Sequence, residues 1–288
     1  MQRRCSWLAW AVVTAGLAQP GVSSAQTIGP DAFGYTLTRT NNPGAFVSIK
    51  GAGGTPIFSD PPAGTQDDVF FSVPIGFNFS FYGVSSSTAF VSTNGYIAFG
   101  GSTATNQALG VHTGQSYGNP NFNSALNITA QGIAGGPGVD RQVIAPWWDD
   151  LQFTGGQTGS LYTQTRTVGP LQEFVVEWNN DAFFDSPTSP VTFQAILRSN
   201  GTMAFFYPDV TTAFPDGTNG ISATIGIHDL NATTADNRFL QHSFNQALAL
   251  ANGDVINVLA PIPEPTSLLL CGVAAVGGLW VRRRRASS

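Results

Sequence analysis

From position 75 to position 82 the chain reads Ile, Gly, Phe, Asn, Phe, Ser, Phe, Tyr. Ile75, Phe77, Phe79 and Phe81 therefore alternate with Gly76, Asn78, Ser80 and Tyr82. A period of two sends four large apolar side chains to one face of a strand and the intervening residues to the other. A helix cannot bury that pattern on one side. The stretch thus commits this part of the chain to a sheet with a dry face and a wetter one.

The same grammar recurs downstream. Residues 89–99 form two apolar arms around Asn94-Gly95, a dipeptide that suits a tight hairpin with positive φ at both central residues. Residues 143–151 make another apolar run, Val143-Ile144-Ala145-Pro146-Trp147-Trp148-Asp149-Asp150-Leu151. Residues 161–167 and 173–178 pair around Val168-Gly169-Pro170, with Phe174, Val176 and Trp178 on one face and Glu173, Val175 and Glu177 on the other. Residues 191–198 and 202–207 form a hairpin across Asn200-Gly201. Residues 222–228, 238–244 and 254–259 complete the set. Residues 33–38 and 45–49 offer short edge strands within a weakly patterned stretch, 26–66, that reads as an N-terminal extension or as edges. Between 100 and 138 the pattern dissolves into Gly, Asn, Ser and Thr, a long surface excursion. No amphipathic helical stretch appears outside the two ends. The expectation is all-β: one antiparallel β-sandwich over residues 67–260, of ten to twelve short strands with long Gly/Asn-rich loops.

Both ends carry topogenic signals. Arg3 and Arg4 precede an apolar run at 7–18, and Ser23-Ser24-Ala25 supplies small residues at a cleavage site, so residues 1–25 read as a signal peptide. The arginine pair hints at the twin-arginine route, but Ser6 stands where that signal wants an apolar residue, which favours the general export pathway. At the other end, residues 261–288 form a tail in which Pro263-Glu264-Pro265 leads into an uncharged run at 266–281. Those sixteen residues extend roughly 24 Å as a helix, somewhat short of a hydrocarbon core of ~30 Å, so they read as a marginal single transmembrane helix. Arg282, Arg283, Arg284 and Arg285 follow as a membrane stop that favours the cytoplasmic side and leaves the passenger on the far, periplasmic side.

The passenger, residues 26–262, holds no cysteine, since Cys5 and Cys271 lie in the two ends. An ordinary core must therefore hold it, without disulfides, thiolate metal sites or cysteine nucleophiles. Six basic residues stand against sixteen acidic ones, which argues against nucleic acid and anionic lipid as partners. Charged residues make up 10% of the chain, where about 25% is usual. Small polar residues replace them, as in many extracellular β-proteins.

Two resemblances follow from these motifs. The Pro263-Glu264-Pro265 triplet, the short apolar segment and the arginine cluster together resemble a PEP-CTERM sorting tail. That resemblance implies recognition of Pro263, Glu264 and Pro265 by an exosortase, a membrane protease/transpeptidase of bacteria that make extracellular polysaccharide. The middle of the chain is similar in order and spacing to nidogen-like domains, extracellular β-rich modules of adhesion and matrix proteins. The stretches that carry the likeness are 91–100, 144–150, 174–178 and 193–197 with Asn200-Gly201.

Several groups invite chemistry, each beside a plainer reading. Asp149 and Asp150 are adjacent carboxylates that can serve Ca²⁺, or, more commonly, cap a turn. Trp147 and Trp148 point to opposite faces if the strand is regular, so one enters the core and the outward one is the candidate glycan contact. Asp229, Asn231, Thr233 and Asp236 space oxygens as D-x-N-x-T-x-x-D. Thr234 and Leu240 break the EF-hand pattern there, which favours a solvated loop. Glu173 and Glu177 lie on one strand face about 13 Å apart, too far for a glycosidase pair, and read as ordinary outward residues. His112, His228 and His242 stand singly, and no nucleophile elbow is present. Asn78, Asn127 and Asn231 begin N-glycosylation triplets that are mostly chance in a bacterial exported protein.

The expectation is a non-enzymatic surface or matrix protein without a cofactor, in adhesion or exopolysaccharide association. It passes through the export machinery and signal peptidase, then an exosortase. The alternatives are a calcium-assisted, lectin-like module and a hydrolase using Glu177 or Asp150.

Overall fold

The computed structural model describes residues 26–99, 142–229 and 236–261. The expected signal peptide, the excursion at 100–138 and the sorting tail, with Pro263, Glu264, Pro265 and Arg282 to Arg285, lie outside the described residues. Among those described there is no α-helix, and no helix long and apolar enough to cross a membrane.

The strands, in chain order, are β1 (Gln26–Ile28), β2 (Thr36–Asn41), β3 (Thr55–Pro56), β4 (Gln66–Asp67), β5 (Phe70–Phe81), β6 (Val84–Ser92), β7 (Ile97–Phe99) and β8 (Gln142–Trp148). They continue with β9 (Leu151–Phe153), β10 (Ser160–Val168), β11 (Leu171–Phe183), β12 (Ser186–Arg198), β13 (Met203–Asp209), β14 (Thr224–Asp229), β15 (Phe239–Phe244) and β16 (Asp254–Leu259). Every pairing is antiparallel. One sheet runs β1-β2-β16-β13-β12-β11-β10-β3, with β9 joined to β11 and β4 to β9; the other runs β15-β14-β8-β7-β6-β5. Sixteen strands exceed the ten to twelve expected, chiefly because 26–67 contributes four short ones with little sequence pattern of their own.

The sandwich core lies between the sheets. Phe174, Val176 and Trp178 of β11 face inward, as the alternation requires, and meet Ile75, Phe79 and Phe81 of β5. Two polar tips tie the layers together. Trp178 Nε1 donates to Ser92 O at 2.8 Å, and the Tyr207 hydroxyl donates to Pro146 O at 2.6 Å. Each carbonyl belongs to the opposite sheet, so buried aromatic mass and backbone hydrogen-bond demand are met by one contact.

The outer faces are apolar too, which a two-layer alternation does not foresee. Tyr162, Val175, Ile196 and Phe206 form a second cluster outside the ten-stranded sheet, packed against Ala45, Phe46 and Ile49. Residues 45–49, expected as an edge strand, are instead a loop laid across that face. Glu177 holds it there. Its carboxylate accepts from Ser48 Oγ (2.6 Å), Ile49 N (2.7 Å), Asn179 Nδ2 (3.0 Å) and Gln194 Nε2 (3.1 Å). Glu173 shares that outer side and pairs with both Arg166 and Arg198 at 2.9 Å. Glu173 and Glu177 are thus buried structural carboxylates, not the solvent-facing residues expected.

The turns depart from expectation in an informative way. Asn94-Gly95 and Asn200-Gly201 sit in three-residue loops, closed by Ser92 N to Tyr96 O and Arg198 N to Thr202 O, each at 2.9 Å. Only the glycine is left-handed in each, Gly95 at φ 73° and Gly201 at φ 82°. The hairpin between β5 and β6 instead turns through Tyr82-Gly83 with two positive φ values, 46° and 81°. Tyr82, expected on the wetter face, is buried. Its ring meets Tyr35 edge-on and Phe81 at a tilt, while its hydroxyl donates to Asp31 Oδ2 at 2.6 Å. Asp31 Oδ1 in turn accepts from the backbone N–H groups of Phe33, Gly34 and Tyr35.

Candidate functional site at the Asn94 turn

The loop between β6 and β7 gathers three segments distant in sequence. Asn94 Nδ2 donates to Asp68 Oδ1 at 2.8 Å, while Asn94 Oδ1 accepts from Leu151 N at 3.2 Å and the Asn94 carbonyl from Asp149 N at 3.3 Å. Thr93 exchanges backbone and hydroxyl bonds with Val69. Gly95 completes the knot by accepting from Trp147 N at 3.2 Å. A Cβ on Gly95 would lie 1.8 Å from Trp147 O, so only glycine fits.

This knot brings Asp67 and Asp68 beside Asp150, with one carboxylate oxygen of each mutually within 4.8 Å. All three are half-buried. Burial, then the charges of Asp68, Asp67, Asp149 and Asp185, push the Asp150 carboxyl up to about 6. Burial and the Asp68 charge raise Asp67 in the same sense, and Asp67 Oδ1 is buried without a hydrogen-bond partner. Phe184, exposed, flanks the site and donates its N–H to Asp150 O at 3.0 Å.

Asp149 and Asp150 part company. Asp149 turns inward, receives a short hydrogen bond from Ser222 Oγ and accepts from Asp150 N at 2.9 Å. It serves the turn, whereas Asp150 joins a cluster the sequence reading did not assemble. The missed signal was a second aspartate pair, Asp67-Asp68, just before the first strong strand.

The glycan expectation for Trp147 and Trp148 is overturned. Their rings do go to opposite faces, but both are buried. Trp147 stacks on Phe193 at 5.8 Å inside the sandwich. Trp148 stacks on Tyr96 at 4.2 Å within an aromatic layer outside the six-stranded sheet, near Phe70, Phe90 and Phe239. Neither presents a face to a sugar.

The remaining candidates disperse. Asp229 pairs with Arg238 at 2.8 Å, while Asn231 and Thr233 lie outside the described residues. Burial depresses His228 to about 4, with its ring stacked on Phe239, and lowers His242 as well. Asn78 is exposed on β5; His112 and Asn127 fall outside the described residues.

A family model described as NIDO related matches residues 34–258, which is β2 through β16 and the Asn94 knot. The chain belongs to the NIDO-related family. No curated protein matches it, and no solved structure does. The NIDO-related match starts just before β2, within the stretch that the sequence left between extension and edge. In the structure β2 pairs with β16, from Asp254 opposite Asn41 to Leu259 opposite Thr36. The segment is therefore built into the NIDO-related sandwich.

Proposed function

We propose that this protein is a non-enzymatic, exported module of the cell surface or extracellular matrix. In this reading residues 1–25 direct export and residues 266–281 hold the precursor in the membrane. An exosortase-type protease then processes it at Pro263-Glu264-Pro265, and the released or attached sandwich serves in adhesion or exopolysaccharide association. NIDO-related membership over 34–258 carries the reading, because it is consistent with an extracellular, non-enzymatic domain. The use of Glu173 and Glu177 as structural carboxylates supports it further, since neither is left free for acid–base work.

Intact-mass spectrometry of protein from the cell surface and the medium, with the host's processing machinery present, tests the sorting step. A C-terminus near 263–265 supports it; a full chain ending at Ser288 in the membrane fraction refutes it.

A second reading, glycan association, has a different location from the one the sequence suggested. An open groove of about 300 Å³ at the opposite end of the sandwich has the part-exposed Phe33 beside Ser80 and Asn200. Apolar ring and hydroxyl or amide together suit a sugar. Binding on a glycan array that disappears in Asn200→Trp, which fills the groove, supports this reading; flat responses across the array reject it.

A further inference from the structure

The passenger has no cysteine, so no disulfide can lock it, yet its one lysine amine is fixed against an asparagine carboxamide. Lys50 ends the loop laid across the outer face of the ten-stranded sheet. Its backbone is set in a turn: Ala52 N and Gly54 N donate to Ile49 O at 3.0 and 2.9 Å, and Lys50 N donates to Ser48 Oγ at 3.2 Å. Its Nζ donates to Asn179 Oδ1 of β11 at 3.1 Å and to Asp60 Oδ2 at 2.7 Å, beside the Tyr162 ring. The carboxamide is held from its other end, since Asn179 Nδ2 donates to Glu177 Oε1 at 3.0 Å. Asp60 is held as well, by the Tyr162 hydroxyl at 2.6 Å and Gly159 N at 2.8 Å. Burial works against its charge, but the hydrogen bonds from Lys50, Tyr162 and Gly159 outweigh it and keep the carboxyl below its usual range. A nucleophile, a base touching it and an acyl carbon one bond from its hydrogen-bond partner thus meet from three segments distant in sequence.

We propose that Lys50 and Asn179 join in an intramolecular isopeptide bond, formed by the folded chain itself without an added reagent. Asp60 accepts one proton from the Lys50 ammonium, and the lone pair so freed attacks Asn179 Cγ. The new C–N bond forms, the Cγ–Nδ2 bond breaks, and the Lys50 nitrogen gives up a second proton. Both protons end on the departing nitrogen, which leaves as ammonium, and Asp60 ends as the carboxylate it began as. Nothing is oxidised or reduced. Glu177 keeps its charge and serves only to hold the carboxamide in place. Moving a proton from an ammonium to a carboxylate is uphill, so the reaction is slow. Fixed contact offsets this, since well-oriented intramolecular partners reach effective molarities of about 10⁵–10⁸ M. Loss of ammonium then makes the bond permanent. The product ties the 45–50 loop covalently to β11, in a domain that disulfides cannot staple. The inference is independent of the sorting tail, and its failure would leave the proposed delivery untouched.

The test follows freshly refolded full-length protein, whose amine is still free, by intact-mass spectrometry and chymotryptic peptide mapping as it ages. The parent should become lighter by one ammonia and should yield a branched peptide that contains both Lys50 and Asn179. Cleavage after Lys50 by a lysine-specific endoprotease, applied to the denatured protein, should disappear in step. Lys50→Arg, which keeps the charge beside Asp60, and Asn179→Ala should show neither the mass loss nor the branched peptide. Asp60→Asn should slow bond formation at least about tenfold. A folded parent that ages at full mass, with Lys50 and Asn179 in separate unmodified peptides, overturns the proposal without recourse to any variant. An ammonia loss that persists in Lys50→Arg overturns it too, by tracing the loss to another residue such as a terminal Gln26. An undiminished rate in Asp60→Asn overturns the proton path through Asp60.

Discussion

Replacing Glu177 by alanine tests whether the outer-face loop is held by this one carboxylate. The side chain is wholly buried and accepts four hydrogen bonds, two of which, from Ser48 and Ile49, reach out of the sheet to the loop. Hydrogen bonds to a charged acceptor contribute about 1.5–3 kcal/mol each. Of the four donors, the Ile49 N–H has no freedom to find another partner, and stranding it costs about 1–3 kcal/mol more. Ser48, Asn179 and Gln194 can reorient and recover part of their share. A loss of about 3–5 kcal/mol follows, concentrated where residues 45–49 lift from the sheet. The chain supplies its own reporter. Lys50 is its single lysine, and its Nζ is held by Asp60 at 2.7 Å and by Asn179 at 3.1 Å. A lysine-specific endoprotease therefore has one place to cut. With each 1.4 kcal/mol worth tenfold in opening, cleavage after Lys50 should accelerate by at least about a hundredfold in Glu177→Ala. Glu177→Gln, which keeps the shape and one acceptor oxygen, should fall between. A cleavage rate and urea midpoint both within twofold of the parent would refute the clasp.

Three further outcomes are expected. Gly95→Ala should not yield folded protein, because its Cβ collides with Trp147 O, whereas Gly201→Ala meets nothing closer than 3.4 Å and should lose only about 1 kcal/mol to its positive φ, measured by urea unfolding. Tyr82→Phe should cost about 2 kcal/mol by the same measurement, since it leaves Asp31 Oδ2 without its donor. Asp150 has a folded-state pKa above its unfolded value, so the folded protein binds more protons than the unfolded chain between about pH 4 and 6, and this group's penalty grows as pH rises through that window. Discounted for half-exposure, it should make the parent about 1–2 kcal/mol less stable at pH 7 than at pH 4, relative to Asp150→Asn. The comparison with the variant is needed because His228, depressed to about 4, acts in the opposite sense: its contribution is lost as pH falls from about 6.5.

Strand positions were legible where alternation is local. Phe174, Val176 and Trp178 announce their common face whatever surrounds them, and β16 needs nothing beyond its own six residues. Turn geometry was less so. Asn-Gly identifies the bend, but the loop length depends on which residues pair beyond it, here Val91 with Ile97 and Leu197 with Met203. Tyr82 misled because the strand ends at Phe81, and a left-handed residue sends its ring back to the core. Trp148 and Glu177 misled for a different reason. Periodicity identifies a face but not whether something covers it, and both outer faces of this sandwich are covered or apolar. The acidic cluster was beyond local reading altogether, since Asp67 and Asp68 meet Asp150 through Asn94 and the β4–β9 pairing, both distant in sequence.

The pairing of β16 bears on how the domain resists a pull. Pro261 follows the last strand, so tension applied at the exit of the domain enters along β16. That strand is not an edge: β13 flanks it through five residue pairs and β2 through six. Antiparallel backbone bonds lie across the strand axis, so a load along β16 meets both ladders at once, in shear, and they must yield together. A peeled edge strand gives way one bond at a time. A load at the C-terminal exit of the domain thus falls on a strand held along both of its sides.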